Sequence, residues 1–275
     1  MALFKSLLVL FSVGYLSIAA VLYLTQTTRV FQPVQFMDSD PDQWGMVFED
    51  ITFSSGEERL NGWWLPASKG DRPVVLFFHG NASNISGLKG HAQLFQSLDL
   101  NVFMFDYRGY GKSSGTPQEQ GVYTDAMSAW RYLVHERGIA PERIVLYGHS
   151  LGAAIGLNLA VSGYTVAGVV LEGAFTSVTD LAQSYYPWLP VAYLVRIYFD
   201  NLTRIAALDV PLLVVHSHDD EVVPFSHGEK LYQSAPKTKY FQSVNGTHND
   251  AVSTQVDTSQ VWFKAYLVDI GLMDG

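Results

Sequence analysis

Residues 143–161 read RIVLYGHSLGAAIGLNLAV, and this stretch decides the fold. Its first part, RIVLY, is short, apolar and does not alternate, as expected of a strand covered on both faces. Its last part, LGAAIGLNLAV, reads as a helix. Between them stands Gly148-His149-Ser150-Leu151-Gly152, a G-x-S-x-G pattern. A serine on so sharp a strand-to-helix turn is held in a strained backbone conformation, with its hydroxyl exposed. The residues two positions away must be small, because the turn brings backbone against backbone. The helix that follows aims the positive end of its dipole at whatever the hydroxyl attacks.

Outward from this unit, strand and helix signals alternate. Residues 73–78 (PVVLFF), 101–106 (NVFMFD), 166–171 (VAGVVL), 211–215 (PLLVV) and 240–244 read as strands. Residues 47–53 and 60–65 flank SSGEE and read as a hairpin. Helices are expected at 88–98, 117–135, 151–161 and 251–268, with Thr116 as an N-cap and Gly138 as a stop. Such alternation predicts a mostly parallel sheet of about eight strands with helices on both faces, and a site at the carboxyl ends of the strands.

The chain has 275 residues, of which 48% are apolar, 13% aromatic and 16% charged, and no cysteine. It is too apolar for a disordered chain. Without cysteine, disulfide scaffolds, thiol nucleophiles and lipid-anchored cysteines are excluded. Lys and Arg number 17 against 26 Asp and Glu, a formal charge of −9. This acidity, with no basic cluster, argues against nucleic acid as a partner.

Part of the apolar excess lies before Arg29. No charged residue occurs between Lys5 and Arg29. As a helix these positions reach roughly 35 Å, enough to cross a hydrocarbon core of about 30 Å. Residues 1–29 therefore read as a membrane anchor, with a cleaved signal peptide as the alternative, Ser17 and Ala19 then being the small residues before the cut. Lys5 and the terminal amine lie on one side, which places the N-terminus in the cytoplasm and the bulk of the chain outside as a single-pass protein; after signal cleavage it would be secreted or periplasmic. Residues 30–46, with Pro33 and Pro41, read as a linker, and 47–275 as the functional domain. Beyond residue 32 the chain holds 15 Lys and Arg against 26 acids, a formal −11, so attachment should depend on the helix rather than on anionic headgroups.

A serine nucleophile needs a base, normally histidine, and the base needs an orienting carboxylate. His248 follows the last expected strand, in Asn245-Gly246-Thr247-His248-Asn249-Asp250, on a loop that can approach Ser150. Asp219, Asp220 and Glu221 all follow the strand PLLVV and are all candidates for the acid. The oxyanion needs two backbone N–H donors. Leu151, next to the nucleophile, and Asn81, in the loop after Phe78, are expected to supply them. Residues 175–205 are too long for a simple loop and hold Tyr185, Tyr186 and Trp188. They read as a small helical cap lined for an acyl chain, or as an ordinary packed helix pair.

Other patterns compete. Gly111-Lys112-Ser113-Ser114-Gly115 repeats the G-x-S-x-G spacing but has no following helix, so Ser113 reads as a loop serine. His216-Ser217-His218-Asp219-Asp220 resembles the ligand cluster of a metal-dependent hydrolase, with His216, His218 and Asp220 as ligands, but a closed set cannot be named. DYRGYGKS lacks the first glycine of a phosphate loop. Four Asn-x-Ser/Thr sites, at Asn81, Asn84, Asn201 and Asn245, read as chance occurrences.

With these residues placed, the chain resembles the α/β-hydrolases, and within them the Bem46-like group and its ABHD13- and ABHD17-type relatives. The resemblance runs from about Arg29 to Leu267 and is carried by linked motifs. These are FFHGNASNIS at 77–86, DYRGYGKSSGTPQEQGVYTDA at 106–126, GHSLGAA at 148–154, EGAFTS at 172–177, VPLLVVHSHDDEVVP at 210–224 and NGTHND at 245–250. In the family the acid follows a His-Gly-x-x-Asp pattern; counting from His216 gives Asp220, with Ser217 in place of the glycine and Asp219 as the second choice. The resemblance implies an α/β-hydrolase domain over 47–275 with its cap at 175–205, a Ser150–Asp220–His248 triad, and hydrolysis of carboxylic esters or thioesters without cofactor or metal. The expected substrates are small-molecule or lipid acyl esters, or an acylated protein. A catalytically silent, membrane-bound interaction module is the reading from outside enzymology.

Overall fold

The structure, a computed structural model, describes residues 1–69, 71–236 and 238–274. The strands are β1 (Glu49–Ser55), β2 (Glu58–Leu65), β3 (Val74–Phe78), β4 (Asn101–Phe105), β5 (Ile144–His149), β6 (Gly168–Glu172), β7 (Leu212–Ser217) and β8 (Lys239–Val244). The helices are α1 (Ala2–Leu24), α2 (Gln26–Val30), α3 (Lys89–Ser97), α4 (Glu119–Arg131), α5 (Leu151–Val161), α6 (Val178–Tyr185), α7 (Val191–Leu194), α8 (Asn201–Ile205), α9 (Phe225–Ser234) and α10 (Val256–Asp269). The strands form one eight-stranded sheet in the order β1-β2-β4-β3-β5-β6-β7-β8, parallel from β4 to β8. β2 is antiparallel to β1 and β4, as the hairpin reading requires.

The apolar runs behave as expected of strands buried on both sides. Leu76, Phe78, Ile144 and Leu146 face one core, where α4, α5 and α8 pack. Val75, Phe77, Val145 and Tyr147 face the other, covered by α3 and α10. Alternate side chains therefore serve opposite cores, which is why no polar position interrupts these strands. Each fully buried Leu, Val or Phe contributes roughly 1.5–3 kcal/mol by leaving water.

Three local expectations are corrected. The helix expected from 117 starts at Glu119, with Gln118 rather than Thr116 as its N-cap, because Gln118 is still extended. It ends in a widened turn at Tyr132–Glu136 before Gly138, whose φ of +68° stops it. The last helix begins at Val256, not 251. Residues before it are held in turns, with the Ala251 N–H donating to Thr247 O. α9 was not anticipated from the sequence.

Residues 30–46, read as a linker, lie along the domain surface. Phe31 is buried against Phe199. The side-chain amide of Asn84 donates to Val34 O and Phe36 O, and Trp44 packs edge-on to Trp63. α1 is long and apolar enough to cross a membrane and is almost wholly uncovered by the rest of the chain.

Candidate active site

β5 delivers Ser150 from the middle of the sheet. Ser150 has φ +53° and ψ −117°, a region that non-glycine residues rarely adopt. The turn is held because the Ser150 N–H donates to Glu172 O at the end of β6. Only glycine fits on either side. A Cβ on Gly148 would lie 2.5 Å from Ala153 Cα, and one on Gly152 would lie 2.0 Å from Phe78 O. The strain of the serine and the bareness of its neighbours are one packing requirement.

Three strand ends converge there. Ser150 Oγ lies 2.9 Å from His248 Nε2, and His248 Nδ1 lies 2.7 Å from Asp220 Oδ2. With Nδ1–H donating to the carboxylate, Nε2 is left to accept the serine proton. Asp220 Oδ1 accepts the N–H groups of Val222 (2.9 Å) and Val223 (2.7 Å). Burial opposes the charge of Asp220, but the hydrogen bond and charge of His248 and these N–H groups outweigh it. Its carboxyl is held below the usual aspartate range. Asp219 points elsewhere and accepts the Gly246 N–H at 3.3 Å. Gly173, with φ +56°, lets the β6 loop pass the imidazole; a Cβ there would lie 3.0 Å from His248 Cε1.

Asn81 and Leu151 line the same cavity as Ser150. Among the described residues, neither main-chain N–H is hydrogen-bonded to a protein acceptor. The Asn81 side chain is occupied otherwise. Its Oδ1 accepts the Gln32 N–H and the Tyr110 hydroxyl, which fixes the loop. The cavity holds about 310 Å³ and is mostly apolar. Tyr185 and Tyr186 of the 175–205 segment line it, with Leu181 and Leu189; Trp188 does not. Trp188 is half exposed on the outer side of that segment.

The competing motifs go elsewhere. Ser113 is buried, donates to Asp106 O and accepts the Asn61 N–H. His216 Nε2 donates to Val223 O, and burial pushes its imidazole below the usual range, so it is neutral. His218 stacks on Phe225. His216, His218 and Asp220 thus do not converge as a ligand set, and no group of three potential ligands is found among the described residues. Asn84 and Asn201 are buried.

Several site residues escaped the sequence reading. Ser217, the departure from the family glycine, donates from Oγ to Gly246 O at 2.5 Å and accepts the Asp219 N–H at 3.1 Å. It ties the acid loop to the histidine loop. Beneath Ser150, Glu172 Oε2 accepts from His91 Nε2 at 2.9 Å, both side chains being buried. Burial opposes the Glu172 charge, but His91 and His149 outweigh it and hold the carboxyl low. A glutamate ending the run VVLE was the one visible signal.

Comparisons with known proteins show what the chain as a whole is similar to. A family model described as serine aminopeptidase, S33, matches residues 70–201. The α/β-hydrolase domain-containing protein WAV2 of Arabidopsis thaliana is 33% identical over 250 residues, covering 82% of this chain and 80% of its own length. The protein YfhR of Escherichia coli is 35% identical over 221 residues, covering 78% and 77%. Among solved structures, the Pyrococcus furiosus esterase Pf2001 superposes with a TM-score of 0.73 at 17% identity, over 87% of this chain and 99% of that one. At that identity the likeness speaks for the fold alone.

Proposed function

Because the chain belongs to the α/β-hydrolase family, we propose that it is a membrane-anchored serine hydrolase cleaving carboxylic esters or thioesters through an acyl-enzyme. One observation carries this reading: the unbroken hydrogen-bonded line from Ser150 through His248 to Asp220, opening on an apolar cavity. Within the family, the linked motifs favour the Bem46-like group.

Ser150 Oγ attacks the acyl carbon while His248 Nε2 takes its proton. The N–H groups of Leu151 and Asn81 stabilise the oxyanion of the tetrahedral intermediate. The intermediate collapses, the C–O or C–S bond breaks, and His248 returns the proton to the leaving group. Water, deprotonated by the same imidazole, then attacks the acyl-enzyme and releases the acid and Ser150. Asp220 keeps the imidazole in the required tautomer and stabilises its charged form. The apolar cavity takes the acyl chain. α1 is the anchor, with its N-terminus in the cytoplasm and the domain on the other side.

The deciding experiment uses full-length protein and p-nitrophenyl butyrate. Ser150→Ala should lower kcat by about 10⁴-fold or more and abolish labelling by a fluorophosphonate. Full turnover by that variant would disprove the assignment.

A further inference from the structure

α1 is not a featureless tether. Tyr15, Ala19 and Leu22 of α1 are only partly exposed, whereas the rest of that helix is open; just beyond it, Gln26 of α2 is partly exposed as well. The spacing of four and three residues puts Tyr15, Ala19 and Leu22 on one face of α1. That face lies on the 175–205 segment. The Tyr15 hydroxyl donates to Trp188 O (3.2 Å), and the two rings meet edge-on at 5.9 Å. The Gln26 amide works at both ends, donating from Nε2 to Leu194 O (2.6 Å) and accepting the Arg196 N–H at Oε1 (2.8 Å). The Arg196 guanidinium sits 4.3 Å over the Tyr23 ring and donates to Tyr23 O.

The consequence falls on the cavity beside Ser150. Leu22, Gln26 and Val30 line it, together with Leu181, Tyr185 and Leu194. The end of the apolar helix is therefore one of its walls. Nine residues separate Tyr15 from Leu24, about 13 Å along a helix. The 175–205 segment thus follows α1 well into its apolar length. The segment exposes large rings: Trp188, whose ring meets Tyr15 of α1, is 51% exposed, and Tyr193 is 89% exposed. Aromatic groups of this kind favour the membrane–water boundary. An aqueous surface would leave them, and the outer face of α1, unsatisfied.

We propose that α1 and α2 form a wall of the acyl-binding cavity, so that the cavity opens on the bilayer holding α1 and draws its substrate, a long-chain ester lipid, from that leaflet. The lipid assignment rests on the serine-hydrolase reading above. On this view the N-terminal segment is retained as part of the site. Cleavage after Ala19 would remove Tyr15 with its contacts to Trp188, and leave Leu22, Gln26 and Val30 without the helix that seats them.

The test uses the full chain in phosphatidylcholine nanodiscs, with p-nitrophenyl palmitate in the bilayer and p-nitrophenyl butyrate in solution. Leu22→Trp should narrow the cavity and lower the palmitate-to-butyrate ratio of kcat/KM by about tenfold or more. Gln26→Ala should move the ratio the same way by loosening the wall, and Leu22→Ala should shift the optimum to longer chains. Val9→Trp, on the open face of α1, should leave the ratio unchanged. Intact mass should show residues 1–30 still present. An unchanged ratio in both Leu22 variants, with Ser150 labelled by fluorophosphonate as in wild type, would overturn the wall while leaving the hydrolase reading intact. So would a mature chain that begins anywhere after Ala19. Faster turnover of a palmitoyl-cysteine peptide than of the ester in the same nanodisc would overturn the lipid assignment. If wild type turns over neither ester and Ser150 takes no label, the hydrolase reading fails and this proposal with it.

Discussion

The His149 imidazole, immediately before the elbow serine, donates from Nε2 to the main-chain carbonyl of His248 at 3.1 Å. The residue that precedes the nucleophile thus holds the backbone of the residue that would serve as its base, 99 positions away in the chain. Burial pushes His149 down to about 4, so near neutrality it is the uncharged donor this contact needs.

His149→Ala should therefore let the His248 loop drift and lower kcat by about tenfold, with KM little changed. His149→Gln, whose amide can donate in the same place, should recover part of the loss. Stopped-flow acylation by p-nitrophenyl butyrate reads the step directly. Equal acylation rates in all three proteins would remove His149 from any positioning role.

The two adjacent acids should separate sharply. Asp220→Asn keeps the shape but presents the wrong partner to His248 Nδ1, so kcat should fall by about 10³–10⁴-fold. Asp219→Asn alters only the contact to the Gly246 N–H and should cost about threefold or less. The same esterase assay with thermal melts decides between them, and a larger loss at Asp219 would reverse the assignment.

Ser217 bridges the two loops through Gly246 O and the Asp219 N–H. Ser217→Ala should cut kcat by roughly threefold to tenfold without lowering KM, since each neutral hydrogen bond is worth about 0.5–1.5 kcal/mol. Ser217→Gly, the residue of the family pattern, should behave like Ala. Fluorophosphonate labelling rates provide the check, and wild-type rates in both variants would show the bridge to be idle.

Asp106 is buried, and burial pushes its carboxyl up to about 8 despite the Ile85 N–H that it accepts. Its neighbour His79 is pushed down to about 4 by burial, so near pH 7 both are neutral. Between about pH 4 and 8 the folded chain then binds a proton at Asp106 that the unfolded chain has released. Stability from this group is greatest at low pH and declines as pH rises through that window. Asp106→Asn removes the dependence. The Tm of the variant relative to wild type should therefore climb by about 5 °C or more between pH 5 and pH 9. A flat difference in scanning calorimetry would mean that Asp106 is ionised throughout.

Much of this was legible locally. RIVLYGHSLGAA specifies strand, turn and helix within a dozen residues, because periodicity and the need for bare glycines are short-range properties. The eight strands, with their parallel majority, followed from apolar runs separated by helical patterns. The misread boundaries lie at Gln118, which stays extended, and at Ala251, where turns take the place of the first helical residues. α9 was missed because its buried face carries His227 and Gly228 beside Leu231, so its apolar spacing is masked.

Sequence by itself determined the fold class, the strained serine and the apolar character of α1. Each depends on residues within a few turns of one another. Only the tertiary structure decided that Asp220 rather than Asp219 meets His248. It also decided that His149 reaches the His248 backbone, and that Leu22 and Gln26 join the wall beside Ser150. Those relations join positions 28 to more than 120 residues apart. Adjacent side chains in a turn point in different directions, so loop closure and packing select between neighbours that composition and spacing leave equivalent.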